Sequence, residues 1–218
     1  TAVDSLNNKI RKEIDSFAGS GVLYVGKWPW LMQNNYPWWK YLNRPEMKFT
    51  EYKYLKDHLE NAEAVAIMDD GRSANVSRGS NSLDANMTGA SFEFNKISSI
   101  PIHEGRYFLP IESDNGSYVC IIGAKIAEIL VDGRSAVGEV IKVNGIKFVV
   151  IGVIEKKGED MLNFGGSTDE KVIIPYSTYA TVFQNDDPSA VIAIKAFNDD
   201  VGQEVLEGEI TGMMRSLR

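Results

Sequence analysis

The sequence predicts an α+β fold: a split domain of two βαβ units that carries an inserted β-rich subdomain between its halves. Three observations predict it. Residues 22–68 read strand, helix, strand, and residues 172–197 read the same way, each suited to a right-handed crossover in a helix-covered sheet. The middle of the chain is rich in Gly, Ser and Asn with short alternating runs, the pattern of strands and turns. Both ends carry apolar residues at helical spacing. The expected division is residues 1–72 for the first half of the split domain, 73–169 for the insertion and 170–218 for the second half.

Taking the elements in order, Val3, Leu6, Ile10, Ile14 and Phe17 form one apolar helical stripe, which Gly19 and Gly21 end. Val22–Val25 is a short strand. All four tryptophans (Trp28, Trp30, Trp38 and Trp39) follow in a segment whose Pro29, Pro37 and Pro45 disfavour a long regular element. A helix is expected over 51–60, with Thr50 as N-cap and Phe49 with Tyr54 as a hydrophobic staple. Residues 62–68 read as a buried strand ended by a turn at Asp69-Asp70-Gly71. Within the insertion, 118–122 is a strand and 124–130 a short helix. Residues 139–143 and 146–154 flank Asn144-Gly145, a strong hairpin signal. A Gly-rich loop over 158–169 precedes a strand at 172–175, a helix at 177–183 and a strand at 190–196. A last helix from about residue 201 places Val201, Val205, Ile210, Met213, Met214 and Leu217 largely on one face.

Composition narrows the function classes. The chain has 218 residues, 23 basic and 30 acidic side chains and a formal charge of −7, so the clustered basic footprint of a nucleic-acid binder is absent. The longest apolar run, Phe148 to Ile154, is far short of the roughly 20 residues that span a bilayer. A single cysteine, Cys120, excludes an intramolecular disulfide, and its apolar strand favours an inert thiol over a nucleophile. His58 and His103 lack partners at metal-ligand spacing, so no metal site is expected. There is no nucleophile elbow, phosphate loop or dinucleotide fingerprint, so neither an enzyme nor a cofactor is expected. The carboxylate pairs Asp69-Asp70 and Asp186-Asp187 sit beside Gly71 and Pro188 and read as turn formers rather than Ca²⁺ ligands. One unusual feature remains, the aromatic segment of Trp28, Trp30, Tyr36, Trp38 and Trp39. It is either a long loop anchoring itself on its own domain or a surface for a partner or cargo.

Further motifs occur in a fixed order: Gly105-Arg106-Tyr107-Phe108, a strand ending Ile122-Gly123, a short Ala/Leu helix, and Val137-Gly138-Glu139-Val140-Ile141. Then come Val143-Asn144-Gly145, Phe148-Val149-Val150-Ile151-Gly152-Val153, and a close at Val172-Ile173-Ile174-Pro175-Tyr176-Ser177-Thr178. In that order they resemble the periplasmic core domain of MacB-type ABC transporter permeases, in the FtsX-like and Lol-type (type VII) permease group. The element order matches over nearly the whole chain, and the specific residues cluster between 105 and 178. The resemblance implies a porter-like part at about 1–72 and 170–218 and a sabre-like part between. It implies terminal helices continuing into transmembrane helices, so the chain reads as a soluble excision from a permease on the periplasmic side of the bacterial inner membrane.

It also implies a role without catalysis: coupling ATP hydrolysis by a cytoplasmic ATPase subunit or domain to efflux or release of cargo (mechanotransmission). The partners so implied are a periplasmic adaptor (membrane fusion protein) or lipoprotein cargo, and a homodimer or heterodimer in full-length form. Two departures stand out: the segment 28–48 is longer and more aromatic than the family pattern, and Val131-Asp132 replaces a Leu-Phe helix end. The acid that follows the Gly-Arg-x-Phe motif is Glu112 or Asp114. The alternatives are a lipoprotein-release or cell-wall-hydrolase-regulating permease domain, or a secreted module that binds a ligand through the Trp-rich segment.

Overall fold

Residues 21–27, 47–132, 134–156, 168–183, 190–197 and 200–217 are described by the computed structural model. In chain order the elements are β1 (Val22–Val25), α1 (Phe49–His58), β2 (Ala62–Arg78), β3 (Asn81–Ala90), α2 (Phe94–Ile97), β4 (Ile102–Gly105) and α3 (Pro110–Asp114). After these come β5 (Val119–Ile122), α4 (Ala124–Val131), β6 (Val140–Val143), β7 (Ile146–Ile154) and a 3-10 turn (Thr168–Glu170). The last are β8 (Lys171–Pro175), α5 (Tyr176–Val182), β9 (Val191–Ala196) and α6 (Asp200–Leu217). The fold is α+β with mixed strand pairing, as expected, and the chain divides into two units. One comprises residues 1–67, 93–99 and 189–218; the other comprises 68–92 and 100–188.

In the first unit the strand order is β1–β9–β2, with β9 antiparallel to β1 from Val22↔Lys195 to Val25↔Ile192. The expected 22–68 unit is therefore split, with β9 lying between its two strands. Small side chains at Ala64, Ala66 and Ala193 make a smooth sheet surface on which Ile97, Phe94, Val22 and Tyr24 pack. The helix expected at 51–60 begins two residues earlier, so Thr50 lies inside its first turn and is not the cap. Lys48 is the N-cap, and its backbone N–H donates to the Glu51 carboxylate at 2.9 Å. That shift puts Met47 and Tyr52, both buried, at the staple positions in place of Phe49 and Tyr54. On the inward side of α6 Ile210 is buried and Met213 and Met214 are half-buried, as expected, but Leu206 is buried in place of Val205, which is 52% exposed, and Leu217 is exposed.

The second unit is built around a ring of strands. β2 pairs with β3, β3 with β8, β8 with β5, β5 with β7, β7 with β6, and β6 back to β2, while β4 adds to the second half of β7. Alternation along these strands points Ala74, Val76, Ala85, Met87, Cys120, Ile141, Val143, Phe148 and Val150 inward, all buried. The β6–β7 turn is a two-residue hairpin with positive φ at both Asn144 (47°) and Gly145 (84°), as its sequence predicts.

Two expectations differ here. Asp69-Asp70-Gly71 does not end β2: the strand continues to Arg78, and the extra residues form a β-bulge between Asp69 and Arg72, with Gly71 at φ +98° absorbing the kink. β8 and α5, expected with the terminal half-domain, lie in the second unit, where β8 sits between β3 and β5 rather than beside β9.

Candidate functional site

The aromatic candidates Trp28, Trp30, Tyr36, Trp38 and Trp39 lie outside the described residues, as do the N-terminal stripe and Asp186-Asp187. The motif that the structure does resolve is Gly105-Arg106-Tyr107-Phe108. Phe108 is buried, and Arg106 turns outward to grip Glu112 with two parallel hydrogen bonds, each 2.7 Å. The same carboxylate accepts the Leu109 N–H at 2.8 Å, capping α3, and Arg106 also donates to the Tyr107 carbonyl at 3.1 Å. Of the two acids that follow the motif, Glu112 is the one that Arg106 grips.

The Arg106 guanidinium holds the Glu112 carboxyl below the usual carboxylate range, and the arginine is raised in turn. Because the folded value is depressed, this stabilisation is present above the unfolded value of about 4.3 and is lost as pH falls through the folded value. Arg106 is 46% exposed, so solvent screens the pair. Arg106→Ala should cost about 1 kcal/mol in urea unfolding at pH 7. Glu112→Gln should reduce the stability lost between pH 5 and pH 3, and an unchanged acid limb would refute this linkage.

A second polar group collects at the bulge. The Asp70 carboxylate accepts the Thr88 hydroxyl from β3 and pairs with Lys171 of β8 at 2.9 Å. Beside it, Arg72 stacks over the Tyr179 ring at 5.8 Å and donates to the Phe183 carbonyl at 2.8 Å. Burial and the neighbouring Asp69 carboxylate push the Tyr179 phenol well above its ordinary range. Asp69-Asp70 reads as a turn in the sequence and hides this cluster, although the run of apolar residues before it and the alternation after it signal one continuous strand.

In the first unit, β1 and α6 wall a groove of about 700 Å³ whose lining includes the apolar Leu23, Val25, Met47, Ile210 and Met214 and the charged Lys27, Glu207 and Arg215. The remaining candidates behave as ordinary structural residues. Cys120 is fully buried, and burial drives its thiol far up, so it is no thiolate nucleophile. The His58 ring stacks on Tyr54 at 4.1 Å with Nδ1 2.8 Å from the Tyr54 carbonyl, and His103 is exposed. Among the described residues no cluster of His, Cys, Asp and Glu could hold a metal, and no helix is long and apolar enough to cross a membrane.

Comparison with known proteins gives this arrangement its context. The chain is 30% identical over 105 residues to the pyoverdine export ATP-binding/permease protein PvdT of Pseudomonas fluorescens strain Pf0-1, covering 47% of this chain and 16% of that protein. It is 29% identical over 97 residues to the macrolide export ATP-binding/permease protein MacB of Syntrophobacter fumaroxidans, covering 44% of this chain and 13% of that protein. The chain thus spans a small part of the length of the curated relatives it matches. Among solved structures, the periplasmic region of MacB from Actinobacillus actinomycetemcomitans has the same fold, with a TM-score of 0.72 over 95% of this chain and 89% of that one at 18% identity. The extracellular domain of the noncanonic ABC-type transporter YknZ from Gram-positive bacteria gives 0.59 over 75% and 83% at 19% identity. The family model of the MacB-like periplasmic core domain matches residues 1–212, and the chain belongs to that family.

Proposed function

We propose that this chain is the periplasmic part of an ABC transporter permease and that it does mechanical rather than chemical work. It couples ATP hydrolysis by a cytoplasmic domain or subunit to export or release of cargo, through contacts with an adaptor or with the cargo itself. The observation that carries this reading is the family match over residues 1–212, joined to relatives that are export ATP-binding/permease proteins. On this reading the unit holding both chain ends is the porter-like part, and the unit of residues 68–92 and 100–188 is the sabre-like part. The Trp28–Trp39 segment remains a candidate for adaptor or cargo contact.

Physically, α6 is the element suited to carry force. Its 18 residues make a rod of about 27 Å. It packs on α1 and β9 through Leu206 and Ile210, and its Glu209 carboxylate accepts the Glu60 N–H at 2.9 Å and the Asn61 side-chain amide at 3.0 Å. A rod pinned at mid-length by a carboxylate and an apolar seam moves its unit when one end moves.

The test uses the full-length transporter in proteoliposomes. Gly208→Pro, on the exposed face of α6, removes a helix hydrogen bond and kinks the rod. ATP binding should persist while cargo export falls to background. Gly208→Ala, where an added Cβ meets nothing within 4 Å, should retain export and stabilise the chain by about 0.5–1 kcal/mol. Export undiminished by the proline would refute the coupling role.

A further inference from the structure

We propose that the outer face of the β6–β7 hairpin is a docking surface for an acidic, aliphatic segment of a partner protein. Four side chains make the face. Lys142 and Lys147 are directly opposed across the hairpin, and so are Val140 and Val149. Both lysines are exposed, and the valines are 48% and 39% exposed, whereas the alternate residues Ile141, Val143 and Phe148 are buried. Neither lysine side chain makes an ion pair or a hydrogen bond among the described residues. Like charges set directly opposite each other destabilise a strand pair, and open aliphatic side chains beside them gain nothing from water. An isolated doublet of cations is therefore a local cost in a chain whose net charge is −7.

The chemistry selects the occupant. Carboxylates would meet Lys142 and Lys147, while aliphatic side chains would cover Val140 and Val149, so the fit is to a protein segment carrying both. A second copy is disfavoured, because an isologous contact through this face would oppose the lysine pairs. An anionic membrane is disfavoured too, since two lysines are few and the net charge of −7 repels it. The hairpin is a ready platform: its I′ turn and its pairing to β2 fix the spacing of the four side chains before anything binds.

The probe is a synthetic peptide of alternating Glu and Val, titrated into the isotope-labelled 218-residue chain and followed by amide chemical shifts. Shifts should concentrate on residues 140–149 and weaken with added salt. The double variant K142E/K147E should lose about ten-fold or more in affinity. Lys147→Glu alone, which turns the repulsive pair attractive, should raise the melting temperature by about 1–3 °C while weakening binding. A purely structural role would not separate those two readouts. The proposal is overturned if the peptide causes no shifts at millimolar concentration, or if the double variant binds as well. A Lys/Val peptide binding equally, phosphatidylglycerol vesicles binding instead, or self-association through this face would overturn it as well. Because binding is read on this chain alone, its failure is distinct from failure of the coupling role.

Discussion

Replacing Gly105 with alanine should lower the unfolding free energy by about 3 kcal/mol, read as a shift of the urea midpoint at constant slope. Two independent penalties meet there. Gly105 has φ +80°, where an L side chain costs roughly 1–2 kcal/mol. In addition, its Cβ would lie 2.2 Å from the backbone carbonyl oxygen of Ile151, an atom that cannot swing aside, and 2.9 Å from Val137. That carbonyl already accepts the Arg106 N–H at 2.9 Å, so pushing it away strips the bond that docks the motif arginine on β7. Gly138→Ala is the control: its φ is +89° but an added Cβ meets nothing within 4 Å, so the cost should stay at about 1 kcal/mol. Equal losses in the two variants would show that close approach of β4 and β7 contributes nothing.

This position also shows what the sequence makes legible. Gly105 and Arg106 open the ordered motif series, and the structure supplies the reason for both: one allows the backbones to touch, the other clamps Glu112. Local signals read well where local chemistry decides. Asn144-Gly145 can take positive φ at both central positions, so the hairpin and its register follow, including the facing of Lys142 and Lys147. The helix over Ala124–Val131 and the strand over Val119–Ile122 likewise carry their own apolar patterns.

What the sequence leaves open is pairing between distant segments. Nothing local tells β6 to close the ring against β2 through Val76↔Val143, or places β9 between β1 and β2. Strand, helix, strand at 172–197 is legible, but its two strands join different sheet neighbours, because β8 pairs with the distant β3 and β5. The Asp69-Asp70-Gly71 error has the same origin. The residues that form turns also form bulges, and only partners 18 and 101 residues away, Thr88 and Lys171, decide between them.

Lys171→Met should cost about 2–3 kcal/mol, because it strands the Asp70 carboxylate in a half-buried site without its cation, held there by the Thr88 hydroxyl. The side chains of Lys171 and Asp70 are 14% and 23% exposed, which places the loss below that of a fully buried pair but above that of a surface bridge. The double variant D70N/K171M removes the orphaned charge and should recover about half of it, giving a coupling energy of about 1–2 kcal/mol in a double-mutant cycle. The loss should also be local. The bulge sets the phase of β2, so that Ala74 and Val76 face inward while Asn75 and Ser77 face outward. A slip of one residue would exchange those faces. Amide exchange in Lys171→Met should therefore accelerate first along 72–78 and 81–87, the paired stretch beyond the bulge, before it does so in β6–β7. Additive single variants with uniform exchange would mean that Gly71 alone holds the register and that the ion pair is incidental to it.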